Sequence, residues 1–467
     1  MKNKHLIFTF CIILMSCSER ENLLLITDTL DPDVLRTEED DEVIKDTGTI
    51  AKPLFEKGYI LPPNSLHCTN FDTGITQKEC NHHGSTIAQL KDGSIAVVWY
   101  HGVAEKSKDS RIVWSKYIKS EKRWTDVLVL YDDPERSEGN PAIWVDDNGD
   151  IYIFFVTIFG STWDETKIRY VKSTDNGKTF SEPVFLNEEY CYNTRHRPVK
   201  LGNGDLLLPL YNECLALPVF MRIRNNFKEI IKEFELTADE IMDRLGQIQP
   251  ALIKFDDDRV AAITRDGTHN FRIHRMESSN FGKKWGKMEI LGLPNSGTSV
   301  DWVRLKSGEV VVVFNNSPTN RFPLSVALSK DEGHSFIALA DINNECDKEG
   351  GCSYAYPSII QDREDETIWV SYTHNRETIG FVHFNKEWLM QFKNRAVLRC
   401  KPSYDCIDSV CLKRCGDKAE CSEGEDCDSH CIRNCISDSA CKEGEFCSQK
   451  KICLPVYDTE RVDQGCY

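Results

Sequence analysis

One unit of roughly fifty residues recurs along this chain, and a repeat of that length admits few architectures. Six copies open at His83 (HGSTIAQLKDGSIAVVWYHG), Asn140 (NPAIWVDDNGDIYIFFVTI), Arg197 (RPVKLGNGDLLLPLYNE), Gln249 (QPALIKFDDDRVAAITRDG), Ser299 (SVDWVRLKSGEVVVVFNNS) and Tyr356 (YPSIIQDREDETIWVSYTH). Each copy has an apolar strand, a tight turn and a second, more apolar strand. The turns include Asp92-Gly93, Asn148-Gly149 and Asn203-Gly204, which are hairpin chemistry. A third strand follows in every copy, from RIVWSKY in the first to IGFVHFN in the last. Strand-rich units of this length predict an all-β chain, a six-bladed β-propeller. The segment KPLFEKGYI, ahead of the first copy, is the candidate to close the ring.

Three turns share one pattern just after a third strand: Ser173-Thr174-Asp175-Asn176-Gly177-Lys178-Thr179-Phe180, then Ser278 to Trp285, then Ser329 to Phe336. Their Ser and Asp/Asn side chains can tie the turn backbone, the glycine supplies a positive φ, and the aromatic residue plugs the blade. They read as structural. Thr237-Ala238-Asp239-Glu240 is a capping box opening a short helix between the third and fourth units.

The ends of the chain differ from this core. Residues 1–17 combine basic Lys2 and Lys4, an apolar run from Leu6 to Met15, and Leu14-Met15-Ser16-Cys17. That is a secretory leader, too short for an ordinary membrane span, with a lipobox-like end in which Cys17 is the expected lipid attachment. Residues 18–50 are an acidic tether, residues 51–395 the propeller, and residues 396–467 a small disulfide-rich domain. The last contains twelve cysteines, with CSEGEDC and CKEGEFC as near copies. Six others fall into neighbours, Cys68 with Cys80, Cys191 with Cys214 and Cys346 with Cys352, as expected of an oxidising compartment. The expected location is the bacterial cell envelope or surface.

With a net charge of −17 and no basic run interleaved with aromatics, the chain is not expected to bind nucleic acid. An anionic ligand would need a local arginine cluster. No nucleotide loop, metalloprotease helix or third ligand for His82 and His83 is present, so neither cofactor nor metal is expected.

The Ser-x-Asp turns, in register with the six units, make the run from about His83 to Phe384 resemble the bacterial sialidase-like family with BNR repeats. That resemblance implies an exo-glycosidase acting on a glycan with a terminal carboxylated sugar, sialic acid by default. It further implies a retaining mechanism with a tyrosine nucleophile paired with a glutamate, an aspartate acid/base and three arginines on the substrate carboxylate. Tyr356 falls where the nucleophile is expected, Arg265 and Arg321 where two of the arginines are, and Asp109 where the acid/base is, with Glu105 its competitor. Two positions depart. His83 stands where the first arginine is expected, and Gln249, which cannot act as a base, where the glutamate is. Glu213 is then the expected base, with His83 and Arg197 completing the anion pocket and Asn140 and Gln249 lining it. Two other readings are a lyase or other hydrolase acting on uronate-containing polysaccharide, and a non-catalytic glycan-binding propeller.

Overall fold

The computed structural model describes residues 52–393, except 269–270, 347 and 349–350, together with the backbone of six short strands between 404 and 455. Six antiparallel sheets correspond to the six sequence units, and each packs its inner strand against that of the next. The inner strands of blades one, two, four and six are Asn81–Gln89, Ser137–Val145, Gln247–Lys254 and Tyr354–Gln361. Blade five begins at Asp301–Arg304, and blade three has a broken inner strand, Tyr192–Thr194 and Val199–Lys200. The ring closes where Phe55–Tyr59 pairs with Thr378–Phe384, so the segment preceding the first unit supplies the outermost strand of the sixth blade. Beyond the ring, the described tail strands form three short hairpins, beginning with Tyr404–Ile407 on Val410–Lys413. Cys17, the leader, the tether and the pairing of the tail cysteines lie outside the described residues.

The Ser-x-Asp turns fasten blades together. In the first, Ser173 Oγ accepts the Gly177 N–H at 2.9 Å, while the Asp175 carboxylate accepts the N–H groups of Lys178 and Thr179 and the Thr179 hydroxyl. The glycine N–H to serine bond recurs at Ser278/Gly282 and Ser329/Gly333. Gly177 (φ +77°) lies so close to Trp114 of the preceding blade that a Cβ would sit 1.9 Å from that ring, and Phe180 meets it edge-on at 5.2 Å. Both the positive φ and the contact require glycine. Gly177→Ala should therefore lower unfolding free energy by about 2–4 kcal/mol, read as a fall in the denaturant midpoint at unchanged slope.

Disulfides join Cys68 to Cys80, Cys191 to Cys214, and Cys346 to Cys352. The capping box at Thr237 is formed and opens the helix Ala238–Arg244. Among the described residues no helix is long and apolar enough to cross a membrane.

One irregularity of the inner strands positions the site. The ladders of blades one, two, four and six each shift register near the start of the inner strand. At these bulges one residue has a positive φ: Gly84 (67°), Asn140 (47°), Gln249 (54°) and Tyr356 (53°). A bulge re-aims the side chain of a strand. Three of the four precede a proline, which disfavours the α region, and an L-residue held left-handed costs about 1–2 kcal/mol. The fold retains this strain where Asn140, Gln249 and Tyr356 meet.

Candidate functional site at one end of the axis

Antiparallel pairing brings the openings of inner strands beside the ends of second strands: His83 faces Tyr100, Gln247 faces Asp266, and Tyr354 faces His374. Tyr356 is the centre of the resulting group. Its phenol oxygen accepts from Arg265 Nη1 at 2.9 Å and Gln249 Nε2 at 3.2 Å. Its ring stands 4.2 Å from that of His83, and the guanidiniums of Arg195 and Arg321 lie 4.9 and 5.8 Å from its centroid. Asn140 donates to Tyr211 at 3.2 Å, which extends the polar lining toward the third blade.

Burial alone would push the Tyr356 phenol up. Arg265 and Arg321, aided by the Gln249 amide, outweigh that and hold it below the ordinary tyrosine range. Neighbouring tyrosines go the other way: burial, joined by the charge of Glu105 for the one and of Glu213 for the other, outweighs their arginine neighbours and pushes Tyr100 and Tyr211 well up. Ultraviolet titration should therefore show one tyrosine ionising below the rest. The signal should vanish in Tyr356→Phe and move to higher pH in Arg265→Gln.

A third arginine, Arg376, completes the cationic wall. It sits at a positive φ (62°) in the turn after the second strand of blade six and donates to Glu105 at 2.7 Å. Burial and the proximity of Arg265 and Arg376 all disfavour the charged form of Arg321. Guanidiniums packed so closely repel one another, and an anion between them removes that repulsion. Among the residues of this group, His83 Nε2, Gln249 Oε1 and Arg265 Nε are buried polar atoms with no protein partner.

The predicted residues divide. Tyr356, Arg265, Arg321, His83, Gln249 and Asn140 converge. Arg197 does not join them, because its guanidinium is bound to the buried Asp301 at 2.8 Å and to the Trp302 carbonyl at 2.9 Å. Asp109 is fully buried, with one oxygen accepting the Val103 N–H and the other the Ser107 hydroxyl, and so organises its loop. The carboxylate of that loop that acts on the phenol is Glu105, through its charge. Glu213 is a half-buried carboxylate that burial pushes up and Arg265 pulls down; the phenol hydrogen-bonds instead to Gln249 and Arg265.

Two arginines escaped the sequence reading. Arg376 lies two residues past the end of its strand, just beyond the column of strand ends. Arg195 is axial because the inner strand of blade three breaks, moving the axial position two residues ahead of Arg197-Pro198. The repetition of residue-before-proline in neighbouring units hides that shift. Among the described residues, no three His, Cys, Asp or Glu side chains are arranged to hold a metal ion.

A ring of six antiparallel blades carrying Ser-x-Asp turns, with arginines gathered round an axial tyrosine, is the build of sialidase-like propellers. The chain belongs to the BNR repeat-like domain family, which it matches over residues 93–374. Its fold is similar to that of the Hadza microbial sialidase Hz136 (TM-score 0.55, 14% identity, 66% of this chain and 66% of that one). It is also similar to the NanB sialidase from Streptococcus pneumoniae (TM-score 0.55, 11% identity, 66% and 69%). The sialidase of Trypanosoma rangeli, solved with the inhibitor DANA, matches at TM-score 0.55 and 12% identity (72% and 60%). The chain thus spans about two thirds of the length of these sialidases, and at such identity the likeness is one of fold. No curated protein matches the sequence.

Proposed function

We propose that this protein is an exo-glycosidase of the sialidase type, removing a terminal acidic sugar from glycans with retention, through Tyr356. Sialic acid is the first substrate to try. The observation that carries this reading is the convergence of Arg265, Arg321 and Arg376 around a phenol oxygen that accepts two N–H bonds. A carboxylated sugar supplies an anion to Arg265 and Arg321, whereas Arg376 is already paired with Glu105, and the sugar's carboxylate disfavours an anionic carboxylate nucleophile beside it. Gln249 cannot remove the phenol proton. The arginine field does its work instead, by lowering the cost of the tyrosinate.

In this reading the Tyr356 phenol proton passes to the Glu105 carboxylate, the Tyr356 oxygen bonds to the anomeric carbon as the glycosidic C–O bond breaks, and Glu105 hands that proton to the departing oxygen. Glu105 then takes a proton from water, which attacks the same carbon and releases Tyr356 as the tyrosinate. Glu105→Gln is expected to lower turnover ~10²–10⁴-fold, and an activated leaving group should recover most of the first step. Asp109→Asn should act chiefly on stability, seen as a lower unfolding midpoint with kcat nearly retained in the folded fraction.

One observation favours a second reading. His83, buried and with Nε2 unpartnered, stands against Tyr356, a pairing that could move protons in a β-elimination on a uronate. Assaying sialylated and uronate-terminated glycans for free sugar and for ultraviolet-absorbing unsaturated uronate separates the two. Sugar release without absorbance supports hydrolysis; absorbance overturns it. As part of the same reading, Cys17 carries the lipid anchor that holds the enzyme at the cell envelope.

A further inference from the structure

Arg195 is fully buried. A guanidinium has five N–H bonds, and this one meets five acceptors. Nε donates to Ser299 Oγ at 3.1 Å. Nη1 donates to the carbonyls of Gly84 (3.4 Å) and Ser85 (3.1 Å), and Nη2 to those of Tyr356 (2.8 Å) and Pro357 (3.3 Å). One side chain from blade three therefore grips blades one, five and six. Four of its five acceptors are the carbonyls at the bulges of Gly84 and Tyr356, and at Tyr356 the left-handed conformation is one the backbone alone disfavours.

No carboxylate bonds to Arg195. Asp301 is taken by Arg197 at 2.8 Å, by Ser358 Oγ and by the Ile359 N–H, both at 3.0 Å. Ser299 Oγ also meets His196 Nε2 at 3.0 Å, and the charges of Tyr356, Asp301, Tyr100 and Tyr211 all favour the guanidinium. Burial pushes the guanidinium down to about 10, which leaves it charged at neutral pH. A cation so deep with no carboxylate bonded to it is costly and needs a reason. The ring of Tyr356, 4.9 Å away, offers one, since a phenolate carries more negative charge than a phenol.

We propose that Arg195 is the positioning residue of Tyr356: its fork locks the left-handed Tyr356-Pro357 backbone, and its charge beneath the ring favours the tyrosinate. This rests on the reading of Tyr356 as nucleophile, but its effect on Tyr356 is measurable without turnover. Arg195 does not touch the sugar, so it acts on kcat and the tyrosine ionisation rather than on KM.

The test uses the full chain with Arg195→Lys, Arg195→Met and Ser299→Ala, read by steady-state kinetics on the sialylated panel and by ultraviolet titration of the low tyrosine. Lysine keeps the charge and loses the fork. It should cut kcat ~10²-fold through misplacement, with KM within about threefold and the tyrosine ionisation nearly retained. Methionine should cut kcat further and move that ionisation up. Ser299→Ala removes one bond of five and should give a smaller loss of the same kind, which decides the matter if both Arg195 variants fail to fold. Unchanged kcat and unchanged ionisation in the folded variants would make Arg195 only a strut between blades, and raised KM at constant kcat would make it a substrate ligand; either overturns the proposal. If the wild type turns over no glycan while Arg195→Met still moves the Tyr356 ionisation, the glycosidase reading fails and the positioning stands.

Discussion

Tyr356→Phe is expected to lower kcat for release of a terminal acidic sugar by at least ~10³-fold while leaving affinity for that sugar within about threefold. The substitution removes one oxygen and leaves the ring between His83 and Arg195, so the bulge, the packing and the three arginines persist. What it removes is the atom that, in the proposed mechanism, forms the bond to the anomeric carbon, and Gln249 and Arg265 lose their shared acceptor. Losing those two hydrogen bonds should cost about 1–3 kcal/mol of stability, small enough that the variant stays folded. Binding is to be followed by titration calorimetry with the free sugar, and turnover by released sugar. A variant that hydrolyses as fast as the wild type would remove Tyr356 from the chemistry. Binding in both proteins with turnover in neither would make the propeller a glycan receptor.

The period of the repeat and the apolar strand pairs carried the fold, because blade length and hairpin chemistry are local and each unit repeats them. The closing strand Phe55–Tyr59 was legible for the same reason: a ring of such units leaves one blade short of a strand. The site was legible only where it kept step with the repeat. Tyr356, Gln249 and Asn140 each open a unit one residue before a proline, and the bulge turns all three inward. Arg197 occupies the same sequence column, but blade three breaks its inner strand there and directs it to Asp301. Arg376 stands in a turn and Arg195 in that break, where periodicity carries no information. Asp109 and Glu105 share a loop, and only tertiary contacts decide which carboxylate is bound by backbone and which faces an arginine.

Stability should fall steeply as the pH drops from about 6.5 to about 5, and buried histidines are the reason. Burial pushes His101 down to about 4 and His196 down to about 3, the latter despite the pull of Asp301. His82 and His83 are also held well below the usual value, by burial first, then by His101 for the one and by four arginines for the other. In the unfolded chain each titrates near its ordinary value of about 6.5 and takes up a proton that the folded chain refuses. A depressed folded pKa therefore gives stability that is full above about pH 6.5 and is lost as the pH falls toward the folded value. Each histidine should remove about 2 kcal/mol by about pH 5, so His101 and His196 together remove about 4, comparable to the whole stability of many domains. Denaturant unfolding at a series of pH values reads this as a falling midpoint. His101→Asn, which cannot take up that proton, should lose about 2 kcal/mol less over the same interval. A midpoint that stays level down to pH 5 would mean that these histidines are protonated in the folded protein. It would also put a further positive charge at His83 beside the arginines, where the neutral ring now leaves Tyr356 as the partner they favour in its ionised form.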